Sequence, residues 1–142
     1  FERMIPLEHP YVINMLDHRN DLENLGNFVR IAVETKTGDI FSAEYMETLK
    51  QITDEVFYLD GVDRSGLKTL WTSNVRWVEV TEQGFQGGTV IPDGYDGSPA
   101  SLEQLRQNIL RSNEVGRLVS DNFKSTIVYA PLGAAGLCIL LP

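Results

Sequence analysis

The sequence predicts an α+β fold, an antiparallel sheet with two amphipathic helices on one face. Three stretches carry that expectation: "AEYMETLKQITDEVFYL" spaces its apolar residues as a helix does, "NFVRIAVETKTGD" alternates apolar and polar residues, and the helical "ASLEQLRQNILRS" returns shortly before a final apolar run, "STIVYAPL". With 142 residues, 42% hydrophobic and 23% charged, the chain has the length and composition of one globular domain.

The elements follow in order. In "HPYVINMLDHRNDLENLG", Pro10 suits a first helical turn and Gly26 a helix end, while Val12, Met15, Leu16, Leu22 and Leu25 form an incomplete apolar stripe. That pattern predicts a surface helix. Val29, Ile31 and Val33 then alternate with Arg30, Ala32 and Glu34, the period of a strand with one buried face, and Thr37-Gly38-Asp39 closes it. Ser42 is placed to cap the next helix. There Tyr45, Met46, Leu49, Ile52, Thr53, Val56 and Phe57 line one side, and Glu44, Glu47, Lys50, Asp54 and Glu55 the other.

Asp60-Gly61 and Ser65-Gly66 supply turns, after which "LKTLWT" and "VRWVEVTE" read as two short strands joined at Ser73-Asn74. The run "GFQGGTVIPDGYDGSP" holds five glycines and two prolines in sixteen residues, which predicts a loop or irregular ribbon. Ser98-Pro99 opens the second helix, with Leu102, Leu105, Ile109 and Leu110 on one side. "GRLVS" and "KSTIVYAPL" flank Asp121-Asn122 as a hairpin, with Ile127 and Tyr129 on one face of the last strand and Val128 on the other. The order is an extra N-terminal helix and then β-α-β-β-α-β, with a short added hairpin strand. This is the split, or ferredoxin-like, arrangement, which hosts many unrelated functions.

Charge and cysteine content narrow the function classes. Twelve basic against twenty acidic residues give a net charge of −8. Nucleic acid and anionic headgroups both require clustered cations, so neither is expected as a partner. The lone cysteine, Cys138, leaves no internal disulfide and no cysteine-based metal site. No run of about 18 apolar residues spans a bilayer, and no signal peptide opens the chain. The first residue is Phe1, so a piece of a longer protein is expected.

Several groups invite a chemical reading and have a plainer one. Glu79 and Glu82 stand three apart at the end of a strand and tend to opposite faces, whereas paired acid–base catalysis needs both carboxylates on one substrate. His9 and His18 lack a third ligand at helical spacing. Gly84, Gly87 and Gly88 resemble a phosphate loop but lead past Asp93 and Asp96, which repel an anion, before any helix begins. "DGYDG" shares only Asp and Gly content with a calcium loop. Ser42, Ser65, Ser98 and Ser101 all sit at caps or turns. No enzyme and no cofactor is expected.

The aromatic residues Phe57, Tyr58, Trp71, Trp77 and Phe85 have two readings. Val78 and Val80 share one strand face, and Val75 and Trp77 share the other with Glu79, so both faces carry apolar residues. Either a second layer of this domain covers both faces, or Trp77 and its neighbours meet another domain or line a cleft for an apolar ligand.

The stretches "LKQITDEVFYLDGVDR", "SLEQLRQNILRS", "GRLVSDNFKSTIVYAPL" and "FERMIPLEHPYV" resemble the first periplasmic segment of the resistance–nodulation–division (RND) exporters, in the branch of hydrophobe and lipid exporters that includes the MMPL-like proteins. The resemblance covers roughly residues 1–132. It implies a ferredoxin-like porter subdomain over residues 28–132, on the periplasmic side of the bacterial inner membrane, preceded by a helical lead-in over 1–27 that follows a transmembrane helix. It also implies that the partners are the remaining porter and transmembrane domains of a proton-driven exporter, with a homo-oligomer and a hydrophobic small molecule or lipid as further partners. Trp71, Trp77 and Phe85 become the interdomain or substrate-path contacts. The family's proton-relay residues lie in transmembrane helices and have no counterpart in this sequence. After Leu132 the sequence leaves the family's pattern, and the apolar "GAAGLCILLP" (133–142) is expected to stand outside the native fold. A stand-alone ferredoxin-like module that binds a small molecule or dimerises is the alternative.

Overall fold

A computed structural model of the chain describes residues 8–18 and 27–133. The described residues form a mixed α+β fold of three helices and two small antiparallel sheets. The elements run α1 (Pro10–Asp17), β1 (Phe28–Glu34), α2 (Ala43–Tyr58), β2 (Arg76–Thr81), β3 (Gly84–Thr89), α3 (Pro99–Arg111) and β4 (Ser125–Pro131). Both caps read from sequence form: the Ser42 hydroxyl accepts from the Tyr45 N–H, and the Ser98 hydroxyl from the Ser101 N–H. The expected continuation of the first helix over 19–26 and the tail over 134–142 lie outside the described residues.

β4 organises the domain because both of its edges are hydrogen-bonded and its inner face packs in the core. Antiparallel β1 lies along one edge, in the register Ile31↔Val128 and Arg30↔Tyr129. Odd-numbered backbone groups turn to the other edge. Tyr129 exchanges two hydrogen bonds of 2.9 Å with Lys68, the Ile127 N–H donates to the Leu118 carbonyl at 2.8 Å, and the Pro131 carbonyl accepts from the Asp63 N–H at 2.8 Å. Alternation along a strand puts Thr126, Val128 and Ala130 in the core, and Ile127 and Tyr129 on the outer face. Against that inner face pack Met46 and Leu49 of α2 and Leu105 and Ile109 of α3, with Ile40, Leu67, Leu70, Val75 and Val90 closing the core.

The sheet differs from the single one expected at three stretches, for identifiable reasons. "LKTLWT" is a turn that touches β4 only at Lys68. The Thr72 hydroxyl accepts from the Thr69 N–H at 3.0 Å and donates to the Thr69 carbonyl at 2.8 Å, so side-chain groups take the backbone partners a ladder requires. The first part of the glycine-rich run, expected as a loop or irregular ribbon, is instead strand β3, paired with β2 from Thr81↔Gly84 to Arg76↔Thr89, while residues 90–98 are irregular as expected. The glycines of β3 allow a close approach. A Cβ on Gly87 would stand 2.7 Å from the Trp77 carbonyl oxygen, and one on Gly88 would stand 3.2 Å from the Trp77 indole nitrogen. Gly84 takes a φ of +117° as the chain leaves the turn. "GRLVS" folds back on β4 through the Val119↔Thr126 bridge and the bond from the Ser120 N–H to the Ser125 carbonyl, rather than as a strand.

Buried polar groups bind the layers together. The Tyr45 hydroxyl donates to the Val33 carbonyl of β1 at 2.7 Å and lies 2.7 Å from the Thr126 hydroxyl of β4. A phenol has one proton, so Thr126 is the donor in the second bond. Burial raises the Tyr45 pKa, which keeps that proton in place. The Asn108 amide donates to the Val90 carbonyl at 3.0 Å, and the Thr53 hydroxyl donates to the Leu49 carbonyl at 2.8 Å.

Replacing Tyr45 with Phe removes one bond from the Val33 carbonyl, which keeps its ladder partner in β4, and leaves the buried Thr126 hydroxyl without its phenol partner; it is expected to destabilise the domain by about 1–3 kcal/mol in chemical denaturation. A second expectation concerns acid. The Asp63 carboxylate accepts from the Ser65 hydroxyl at 2.6 Å and the Ser65 N–H at 3.0 Å, which lowers its pKa below the ordinary 3.8. The folded pKa is thus below the unfolded one, so the contribution is complete above the unfolded value and is lost as pH falls through the folded value. In urea titrations at a series of pH values, the stability gap between wild type and Asp63→Asn should narrow on acidification below about pH 4.

Candidate functional site

Trp71 sits where the 64–74 turn meets the outer side of α2. Its indole N–H donates to the Met46 carbonyl at 3.0 Å, which fixes the ring upright. The Lys50 ammonium stands 5.8 Å above one face, and the Tyr95 ring meets it edge-on at 5.5 Å and 85°. The indole forms a wall shared by two depressions. The larger, about 520 Å³, is lined by Phe57, Tyr58 and Arg64 along the end of α2. There the Arg64 guanidinium lies 5.7 Å from the Phe57 ring centroid and donates to the Phe57 carbonyl at 2.9 Å. The smaller, about 360 Å³, is lined by Ile91, Pro92 and Tyr95.

The Tyr95 hydroxyl is buried without a hydrogen-bond partner among the described residues. Burial, followed by the charges of Asp96 and Glu47, raises its pKa. A neutral phenol held against the Trp71 edge is therefore the form present at neutral pH. Sequence reading placed this residue only in a turn. The signal available was an aromatic residue inside "DGYDG", and nothing in the spacing says that it reaches a tryptophan 24 positions earlier.

Trp77 and Phe85 belong to the β2–β3 hairpin, but to opposite faces of it. On the face toward α3, the Arg111 guanidinium lies 5.5 Å from the Trp77 ring centroid and 3.4 Å from the Glu79 carboxylate. Trp77 is half-buried there, and Glu79 serves as an ion-pair partner. On the other face, Val80 and Phe85 are direct cross-strand neighbours with Val78 beside them, exposed by 74%, 82% and 61% respectively. The three aromatic residues singled out in the sequence thus do not converge. Trp71 lines two depressions that contain neither Trp77 nor Phe85.

The other groups weighed in the sequence serve local structure. Asp96 accepts from the Ser98 N–H at 2.9 Å ahead of α3, and the Ser65 hydroxyl donates to Asp63. Among the described residues, no three His, Cys, Asp or Glu side chains gather as a metal site, and no helix is long and apolar enough to cross a membrane. What the surface offers is aromatic and aliphatic contact area with cations laid over the rings.

Compared with family models, with curated proteins and with solved structures, the chain matches none of them.

Because a buried hydroxyl without a partner keeps its desolvation penalty, Tyr95→Phe is expected to raise stability by about 1 kcal/mol. Equilibrium unfolding in urea checks this, and a fall in stability would mean that the hydroxyl has a partner.

Proposed function

We propose that this domain is a porter-type module of an RND-like exporter, on the periplasmic side of the inner membrane, which contacts hydrophobic or lipid-like cargo or a sister domain through the open face of the β2–β3 hairpin. The observation that carries the reading is the exposed apolar patch of Val78, Val80 and Phe85, on a hairpin whose opposite face is already packed on α3. A sheet face of this kind is stabilised by an apolar cover. The resemblance of "LKQITDEVFYLDGVDR", "SLEQLRQNILRS" and "GRLVSDNFKSTIVYAPL" to the exporters names a cover of the right kind, a neighbouring porter domain. A ferredoxin-like ancestry is supported by the element order from β1 to β4 and by the antiparallel pairing of β1 with β4. In this reading the domain performs no chemistry. It supplies a wall along which an apolar molecule moves, while proton movement elsewhere drives the cycle.

The deciding experiment starts with the parent gene, in which an apolar segment of about 20 residues should be encoded directly before Phe1. In cells expressing that gene, Val80→Lys with Phe85→Glu, an opposite-charge pair across the two strands, should raise accumulation of a hydrophobic dye at least several-fold. The same pair in the 142-residue chain should leave its melting temperature nearly unchanged, because both side chains are exposed. An initiation codon directly before the Phe1 codon, or unaltered dye accumulation in the variant, overturns the proposal. If the wild-type chain alone sediments as a dimer and the variant as a monomer, the same face serves self-association, and the stand-alone module takes its place.

A further inference from the structure

The outer face of the β1–β4 sheet carries a feature that the exporter reading does not use. Arg30 of β1 and Lys68 of the 62–68 segment both stand opposite Tyr129 of β4, one on each side. Residues directly opposite on neighbouring strands share a face, so the row reads cation, aromatic ring, cation. Its ends lie two strand spacings apart, about 10 Å between backbones, a gap that two long side chains close around a small anion. One step along β4, the Ile127 N–H bonds to the Leu118 carbonyl, which brings Arg117 to the same depression. Its volume is about 430 Å³, with Glu114 as its one carboxylate.

Two facts distinguish this depression from an ordinary solvated surface. The protein carries a net charge of −8, yet three cations against one carboxylate give this spot a local charge of +2. Among the described residues, none of the three cations joins an ion pair, whereas Arg106 holds Asp39 and Arg111 holds Glu79. Arg30 is instead steadied by rings, its guanidinium 5.0 Å from the Phe28 centroid and 5.9 Å from that of Tyr129. Contact with ring faces leaves the N–H edge of the guanidinium free for an oxyanion. Tyr129 and Ile127 line the depression beside the cations and give a compact apolar body a surface to lie on.

We propose that this depression binds a phosphate monoester with an aryl or other compact apolar body, its dianion held by Arg30, Lys68 and Arg117 and its body laid on Tyr129 and Ile127. The net +2 matches the dianion, and Tyr129 and Ile127 match the body. The site acts on a soluble ester rather than a lipid headgroup, because the −8 of the whole chain opposes its approach to an anionic membrane. It stands or falls independently of the exporter reading, since it uses none of the hairpin residues.

The test titrates phenyl phosphate, and separately inorganic phosphate, into the full chain, following backbone amide shifts by NMR and heat by calorimetry. Saturable shifts at Lys68, Leu118 and Tyr129 are expected, with inorganic phosphate the weaker ligand. Arg30→Gln, Lys68→Gln and Arg117→Gln should each weaken phenyl phosphate about tenfold, the size of one charge-assisted hydrogen bond, and Lys36→Gln should leave it unchanged. Glu114→Gln should tighten binding, a gain that a misfolded variant cannot imitate. Co-sedimentation with phosphatidylcholine vesicles containing phosphatidic acid separates the sources. Sedimentation lost in Arg30→Gln, without binding of phenyl phosphate, keeps the phosphate site but overturns the soluble ester. Absence of both, or phenyl phosphate binding indifferent to Arg30→Gln, Lys68→Gln and Glu114→Gln, overturns the site itself.

Discussion

The structure depends on one strand being hydrogen-bonded along both edges. The even residues of β4 face β1 and the core, while its odd residues bond backbone to backbone with Asp63, Lys68, Leu118 and Ser120. Those partners come from two irregular segments that have no ladder of their own. Once β4 is in place, the segments over 60–75 and 114–124 have somewhere to satisfy their backbone groups, and their side chains follow. Leu67, Leu70 and Val75 enter the core from one segment, and Leu118 and Val119 from the other. Gly66 shows how close the fit is, since a Cβ there would stand 2.6 Å from the ring of Pro131 at the end of β4. Tyr45 then fastens α2 to both strands of the pair through a single phenol.

The same strand separates the surfaces available for function. Its inner face is consumed by packing, and its outer face is left with Tyr129 between two cations. The β2–β3 hairpin divides in a similar way. Trp77, Glu79 and Arg111 close one side, and Val78, Val80 and Phe85 remain open on the other. A domain with this distribution has one apolar surface and one cationic depression on separate sheets. Its aromatic groove at Trp71 lies elsewhere again. The three surfaces use different residues, so each can be altered by substitution without disturbing the others.

Much of this was legible in the sequence. The helices over 43–58 and 99–111 follow from apolar spacing together with Ser42 and Ser98, because caps and amphipathic stripes are local and repeat at 3.6 residues per turn. The alternation of β1 at Ile31 and Val33, though not at the exposed Val29, and the two faces of β4 are equally local, since neighbouring side chains in a strand must point opposite ways. The first six residues of the glycine-rich run depart from expectation because composition alone favours a loop or irregular ribbon. What makes them a strand is the Trp77 backbone and indole lying where their side chains would stand, a contact between two strands. "LKTLWT" was misread for the converse reason. Its β-favouring residues are overruled by threonine hydroxyls that close a turn.

By itself, then, the sequence determined the α+β class, the two capped helices, the faces of β4, the alternation at Ile31 and Val33, and a net acidic charge, all of which rest on local periodicity, cap chemistry or summed charge. Only the tertiary structure decided which strands pair, that Trp77 and Phe85 part to opposite faces, that Tyr95 reaches Trp71, and that Arg30, Lys68 and Arg117 share one depression. These are meetings between residues from 24 to 103 positions apart in the chain, or between neighbours whose sides are set by a partner strand. No local pattern encodes them. They are fixed when β4 takes both of its neighbours and the remaining backbone must find its partners around it.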